Sequence, residues 1–263
     1  MNKIVKLNVA LIASLLCVSL FSCSSEDPTD PTKDNEEEQV KDEPRDWSVT
    51  VYEDIWWEEG WIDLTNNSAE CQNWKKQYEQ YCYTTDKDLN HWRNIWSNIK
   101  YTGLTEASMT KEVERIVSFT RVQSPDIHTS SSIDMFTAIL NYGDYSVFYE
   151  YNPYQHMKDG DKTGWVLTVK NVVEINDGST IVIPDEYYSW CNEHEKDLTE
   201  HKNTDGVVDV YVWTITQDTF TREDIANITK MVKWSQIEYS KPYSKFTVSV
   251  EVHEYGTNLT RTW

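Results

Sequence analysis

The chain has 263 residues, of which 39% are hydrophobic, enough for one large domain or two small ones. Its 44 acidic and 24 basic side chains give a formal charge of −20, which argues against binding to nucleic acid or to anionic lipid. The same acidity also keeps secreted proteins soluble, so it identifies no ligand. The 12 Trp and 16 Tyr, against 6 Phe, favour surface recognition, because these side chains combine an apolar face with a polar edge.

The N-terminus reads as an export signal, with two lysines near the start and an apolar stretch over 9–21. A membrane-spanning helix needs roughly 20 apolar residues, so the pattern predicts a removable signal peptide over 1–22. The run LFSC at 20–23 resembles the lipobox of bacterial lipoproteins. That resemblance implies lipidation of Cys23 and anchoring of the chain to a membrane. The alternative is an ordinary secretory signal with a chance cysteine.

Residues 23–46 are rich in Asp, Glu, Pro and Thr and nearly free of apolar side chains, which predicts a disordered tether. An acidic run directly behind the cysteine resembles the export signal of Bacteroidota surface lipoproteins. It implies a lipid-anchored protein on the outer face of the outer membrane. A solvated linker on a periplasm-facing protein has the same composition, so both interpretations stay open.

The globular part is predicted to be one domain over 47–263, beginning with an alternating strand at Trp47. Asn67 and Glu70 have the spacing of a capping box and predict a helix over 68–83. A second aromatic stripe has helical spacing and predicts another helix, which would complete an N-terminal helical hairpin. That stripe consists of Leu89, Trp92, Trp96 and Ile99.

From Ile133 onward the pattern changes to short β-branched and aromatic runs separated by turn residues. Strands are predicted over 135–142, 145–151, 165–175, 180–183, 207–216 and 246–253, with a hairpin turn at 176–178. A helix is predicted after Pro184, and a second capping box, Thr221 with Asp224, opens another. We find no internal repeat. The fold is therefore expected to be α+β, mostly antiparallel sheet, with one or two further helices packed on it.

Two groups of residues are metal candidates. His194, Asp197 and His201 would share one face of the helix after Pro184, but solvated acids on a boundary helix explain them as well, and the second histidine of a zinc-peptidase motif is missing. Asp159 and Asp161 match the first half of a calcium loop, although the bidentate glutamate is absent and a polar β-turn fits equally. No cofactor is expected.

The sequence offers no catalytic motif. Nucleophile elbows and phosphate-binding glycine loops are missing. Beyond the signal and Cys23, Cys71, Cys82 and Cys191 remain. Cys71 and Cys82 on one helix would lie too far apart to pair, so either pairs with Cys191 or all three stay reduced. An enzyme, such as one that processes glycans with paired carboxylates, stays an alternative.

A Trp-rich acidic segment over 54–61 is the strongest candidate site. Its three tryptophans, Trp56, Trp57 and Trp61, would form a platform for sugar rings, unless they merely pack on the sheet. We therefore predict a non-catalytic surface lipoprotein that binds an extracellular glycan. The alternatives are an inhibitor or immunity-like lipoprotein that binds a basic protein, and a structural or adhesive component of the envelope.

Overall fold

The computed structural model of the chain describes most of residues 43–263, and Asp42–Trp263 form one compact unit. The described residues are 43–57, 67–88, 90–122, 132–143, 145–175, 181–235 and 244–263. The predictions for the signal peptide, Cys23 and nearly all of the tether lie outside them, as do Trp61 and the hairpin turn at 176–178.

Within the described residues, eleven strands form a single antiparallel sheet. The strands are β1 (Arg45–Trp57), β2 (Cys82–Asp88), β3 (His91–Leu104), β4 (Arg121–Val122), β5 (Ser132–Tyr142), β6 (Tyr145–Tyr151), β7 (Trp165–Glu174), β8 (Leu198–Thr204), β9 (Val208–Gln217), β10 (Lys245–Glu254) and β11 (Leu259–Thr262). Their order is β2-β3-β1-β5-β6-β11-β10-β7-β9-β8, and β4 pairs with β5. A mostly antiparallel α+β fold is confirmed.

The same part of the chain contains five helices. They are α1 (Ala69–Gln77), α2 (Glu106–Val117), α3 (Gln155–Asp159), α4 (Asp185–Glu193) and α5 (Arg222–Lys233). The predicted capping box of α5 is confirmed, since Thr221 and Asp224 exchange side chain-to-backbone hydrogen bonds. No helix among the described residues is long and apolar enough to cross a membrane.

The sheet is built from two structural repeats, which the sequence analysis did not find. In the first repeat (45–151) the strand order is β2-β3-β1-β5-β6, and in the second (165–263) it is β8-β9-β7-β10-β11. Helices α1 and α4 have 9 residues each and are each followed by a 3₁₀ turn and a strand of 7 residues. Helices α2 and α5 have 12 residues each. The repeats therefore match element by element.

A pseudo-twofold axis relates the repeats where β6 pairs with β11. In the first repeat Tyr149 pairs with β5, and in the second repeat Trp263 makes the corresponding pairing with β10. Tyr149 and Trp263 are therefore equivalent. Their predecessors, Phe148 and Thr262, are then equivalent too, and they pair with each other across the two strands. Equivalent residues face one another only at a symmetry axis, so the two repeats associate like the halves of a symmetric dimer.

Each repeat has its own hydrophobic core between the sheet and its two long helices. Trp74 of α1 meets Trp96 edge-on, with ring centroids 5.2 Å apart. Trp190 of α4 meets Trp213 in the same way at 5.1 Å. Trp96 and Trp213 occupy equivalent positions, since each pairs with the buried valine of its central strand. The same aromatic contact thus anchors helix to sheet in both cores.

The predicted helical hairpin is wrong in its second half. Helix α1 is confirmed, although Ser68 rather than Asn67 caps it and it ends at Gln77. Of the stripe that follows it, Trp92, Trp96 and Ile99 belong to β3, not to a helix, and Leu89 lies outside the described residues. The spacing looked helical because Trp92 and Trp96 are four residues apart, and a bulge at Asn98, which has φ 55°, inserts one residue, so Ile99 follows Trp96 on the same face after three residues instead of two. The predicted strand over 180–183 is reduced to a bridge at Ile181.

Candidate functional site

The structure does not bring Trp56 and Trp57 into one plane. Trp56 and Trp57 are consecutive in β1, so their side chains point to opposite faces of the sheet. Trp57 meets Trp92 edge-on on the helix side, with centroids 5.0 Å apart. Trp56 remains 44% exposed on the face opposite the helices and lies flat on His91, with centroids 3.7 Å and planes 12° apart.

A buried carboxylate fixes the support under Trp56. Asp54 is 4% exposed, and its Oδ1 lies 2.7 Å from Nε2 of His91. Arg93 donates to both Asp54 oxygens, at 2.7 and 2.9 Å, and its guanidinium lies over the Tyr52 ring. These hydrogen bonds raise the pKa of Arg93, so its guanidinium stays charged. We call these five residues the Trp56 platform.

Strand pairing explains why these side chains meet. Tyr52, Asp54 and Trp56 alternate along β1 and therefore share a face. Asp54 pairs with Arg93, and Trp56 with His91. The sequence analysis missed His91 and Arg93 because it assigned their segment to a helix.

A further aromatic side chain extends the row on this face. Tyr83 pairs with Ile95, and Ile95 pairs with Tyr52, so the three lie side by side across β2, β3 and β1. Tyr83 is 51% exposed. The arrangement offers flat aromatic surface beside fixed polar groups, which suits the stacking of a sugar ring.

The candidate metal ligands do not converge. Helix α4 ends at Glu193 and β8 begins at Leu198, so His194 and His201 do not share a helix face, and that prediction is wrong. The Nδ1 atom of His194 lies 3.0 Å from Oδ2 of Asp197, within the same turn. The Nε2 atom of His201 lies 3.1 Å from Oδ1 of Asp209 on the neighbouring strand β9. No group of three His, Cys, Asp or Glu side chains in the described part of the chain could hold a metal ion.

Of the two calcium-loop residues, Asp161 is exposed, whereas Asp159 is a buried partner of a histidine. Oδ2 of Asp159 lies 2.7 Å from Nε2 of His253 and accepts from the backbone N–H of Gly256 at 3.1 Å. Burial alone would raise the pKa of Asp159, but these hydrogen bonds hold it below its ordinary value of 3.8.

The Asp159 contact predicts a loss of stability in acid. Because the pKa of Asp159 is lower in the folded than in the unfolded state, its carboxylate stabilises the fold at pH values above the ordinary pKa of 3.8. This contribution disappears as pH falls through the pKa of the folded state. Asp159→Asn should lower the free energy of unfolding by about 2 kcal/mol at neutral pH and by little at acidic pH, as measured by urea denaturation. Asp161→Asn is the matched control and should behave as wild type at both. An equal loss at both pH values would mean that the carboxylate charge is irrelevant.

The three cysteines that the structure describes are free thiols. Burial raises the pKa of Cys71 and of Cys191 to about 11 each, so neither is a thiolate at neutral pH. A nucleophilic role is therefore not favoured for either.

A second arrangement of polar groups lies inside the first core. Glu53 and Asp134 are both 0% exposed, on the helix side of adjacent strands. Lys75 of α1 pairs with Glu53, and Arg121 pairs with Asp134 at 3.0 Å. Asn94 donates to Glu53 at 2.7 Å. The two carboxylates of this cluster are fully buried beneath their partly exposed cationic partners, so a ligand has no direct access to them.

Comparison of the chain with protein-family profiles, with curated proteins and with solved structures gives no match. Its function is therefore argued from the geometry.

Proposed function

We propose that this chain is a non-catalytic lipoprotein of the bacterial outer membrane, anchored through lipid on Cys23, that binds an extracellular glycan at the Trp56 platform. One observation carries the binding proposal. An exposed indole lies flat on an imidazole that is itself held by a buried carboxylate. The lipid anchor and surface location rest on the signal-peptide and tether patterns.

The fixed support matters for affinity. A flexible side chain loses rotamer freedom when a ligand binds, and that loss offsets part of the contact energy. Trp56 has already lost it, because His91 and the Asp54–Arg93 ion pair hold the ring in place. A pyranose ring could then stack on the outer indole face, while its hydroxyl groups reach the polar groups beside it.

The first test compares Trp56→Ala with a matched control on a glycan array, using the full chain in detergent. Trp56→Ala should weaken the binding of retained glycans by about tenfold, because it removes the stacking surface. The free energy of unfolding should change by less than about 1 kcal/mol, since the ring is largely exposed. Tyr188→Ala removes an aromatic side chain of similar exposure, 51%, on α4 and should bind as wild type. Unchanged affinity in Trp56→Ala would remove the platform from the proposal.

A second candidate function is favoured by the charge. A formal charge of −20 suits a basic protein partner, as in an inhibitor or immunity-like lipoprotein. Such binding would weaken steeply with added salt, whereas stacking on a sugar ring would not.

A further inference from the structure

A cleft lies where the two repeats meet, above β6 and β11 on the helix side. It has a volume of about 200 Å³, below the roughly 300–1,000 Å³ of sites that enclose a drug-sized ligand, so it suits a small ligand or one ring of a larger one. Among the residues that line it are Glu114, Tyr151, Trp165, Glu254, Asn258 and Arg261.

In the first repeat, the position equivalent to this cleft is closed by packed side chains. Val49 pairs with Leu140, and Leu167 pairs with Val252, so Trp47 and Trp165, two residues earlier, are equivalent. Trp47 is 2% exposed, and its indole N–H donates to Leu104 O at 2.8 Å. The Tyr142 ring covers it, with centroids 4.8 Å apart.

The second repeat has a carboxylate where the first has this covering ring. Glu254 is the equivalent of Tyr142 and pairs with Trp165 in the sheet. Trp165 is half-buried: the Phe220 ring packs on it, with centroids 5.2 Å apart, and its remaining surface lines the cleft. Within the described residues the Glu254 side chain makes no hydrogen bond or ion pair, although it is only partly exposed. The Glu254 carboxylate is thus open to solvent or to a ligand, at the position where Tyr142 of the first repeat packs on its tryptophan.

The other polar groups of the cleft are already held in place. Arg261 bonds to Glu114 at 2.6 Å and lies over the Trp165 ring at 5.5 Å. Asn258 donates to the Tyr151 hydroxyl at 3.0 Å. Arg261 is thus the cation of the cleft, and Glu114 balances its charge. Glu254 is left as an unpaired acceptor beside the rings of Trp165 and Tyr151. A ligand with several hydroxyl groups can donate hydrogen bonds to the Glu254 carboxylate while its ring packs on the aromatic side chains.

We propose that this cleft is a saccharide site, in which a pyranose ring packs against Trp165 and Tyr151 and donates hydroxyl hydrogen bonds to Glu254. The inference rests on the proposed function for the class of ligand but places a binding site away from the Trp56 platform. Binding here involves no covalent step.

The test uses the full chain in detergent on an array of neutral, anionic and cationic glycans and polyamines, with three substitutions added to Trp56→Ala so that the platform does not contribute. Glu254→Tyr copies the first repeat and should abolish the binding that Trp56→Ala retains, because the new ring covers Trp165 as Tyr142 covers Trp47. Glu254→Gln keeps the shape and should weaken that binding about tenfold, because a charged acceptor is lost. Glu251→Gln changes an exposed glutamate of the same strand and should bind as Trp56→Ala alone. Circular dichroism melting checks that each variant is folded.

The outcomes separate this inference from the proposed function. Binding that Trp56→Ala retains and that Glu254→Tyr in the same background loses, with an unchanged melting curve, supports the cleft. Retained binding that survives Glu254→Tyr overturns the cleft, and binding that folded Trp56→Ala loses entirely overturns the cleft and keeps the function. Retention of cationic glycans or polyamines alone overturns the saccharide assignment. An array that the wild-type chain does not bind overturns both.

Discussion

Replacing either Trp96 or Trp213 by alanine is expected to lower the free energy of unfolding by about 3–5 kcal/mol. Both side chains are 3% exposed, and each makes the edge-on contact that joins a helix to the sheet in its own repeat. Because the two positions are equivalent, the two losses should be similar. Chemical denaturation of the full chain, followed by tryptophan fluorescence and by circular dichroism, measures both.

Exposed aromatic side chains provide the control for these two substitutions. Tyr188→Ala removes a ring that is 51% exposed and should change the free energy of unfolding by less than about 1 kcal/mol. A large loss in Trp96→Ala together with a negligible loss in Trp213→Ala would contradict the equivalence of the two cores.

Asp134→Asn is expected to stabilise the protein relative to wild type as pH rises. Burial, and then the charge of Glu53, raise the pKa of Asp134 from its ordinary value of 3.8 to about 7. The folded state then binds a proton that the unfolded chain releases, so wild-type stability falls as pH rises between these two values. Asparagine cannot ionise, so its free energy of unfolding should exceed the wild-type value by an amount that grows to about 2 kcal/mol near pH 7. The ion pair with Arg121 favours the ionised form of Asp134, so it reduces this difference in the free energy of unfolding.

Urea denaturation at a series of pH values measures this difference, with Asp218→Asn as the control at an exposed acid. The control should follow the wild-type curve. A constant offset between Asp134→Asn and wild type across the range would mean that Asp134 is ionised throughout and that Arg121 compensates for its burial.

The second repeat shows that the fold itself does not require the charged cluster. From the strand pairings, Asn171 is equivalent to Glu53, and Phe246 to Asp134. Asn171 accepts from the Tyr187 hydroxyl at 2.9 Å and donates to Thr247 O at 3.1 Å, so its polar groups are satisfied without charge. The same position can thus be filled by a neutral hydrogen-bonded group.

Local patterns predicted the elements whose signals lie within a few residues. Short β-branched and aromatic runs indicated β6, β7 and β10, and the pair Thr221 and Asp224 indicated the start of α5. Helix α2 was missed, although Thr105 caps it and its buried side chains have helical spacing. The bulge at Asn98 misled the assignment of β3, because a bulge changes the period without changing the residue types.

The repeat and the sites could not be predicted, because they depend on long-range pairing. Some equivalent positions hold the same residue, as Trp96 and Trp213 do, but others are chemically different, as Tyr142 and Glu254 are, so residue identity alone did not reveal the repeat. Trp56 was predicted as a binding residue from its own segment. Its partners His91 and Arg93 come from another strand, and only the β1–β3 register brings them beneath it.

The central claim, that the chain binds a glycan by stacking, is tested most directly by the salt dependence of its dissociation constant. The full chain would be titrated with a glycan retained on the array at about 0.1 M and at about 1 M salt, where the screening length falls from about 10 Å to about 3 Å. We predict the same dissociation constant within about twofold, because aromatic stacking involves no net charge. Binding that disappears at the higher salt would contradict the claim and point to charge attraction, as expected for a basic protein partner.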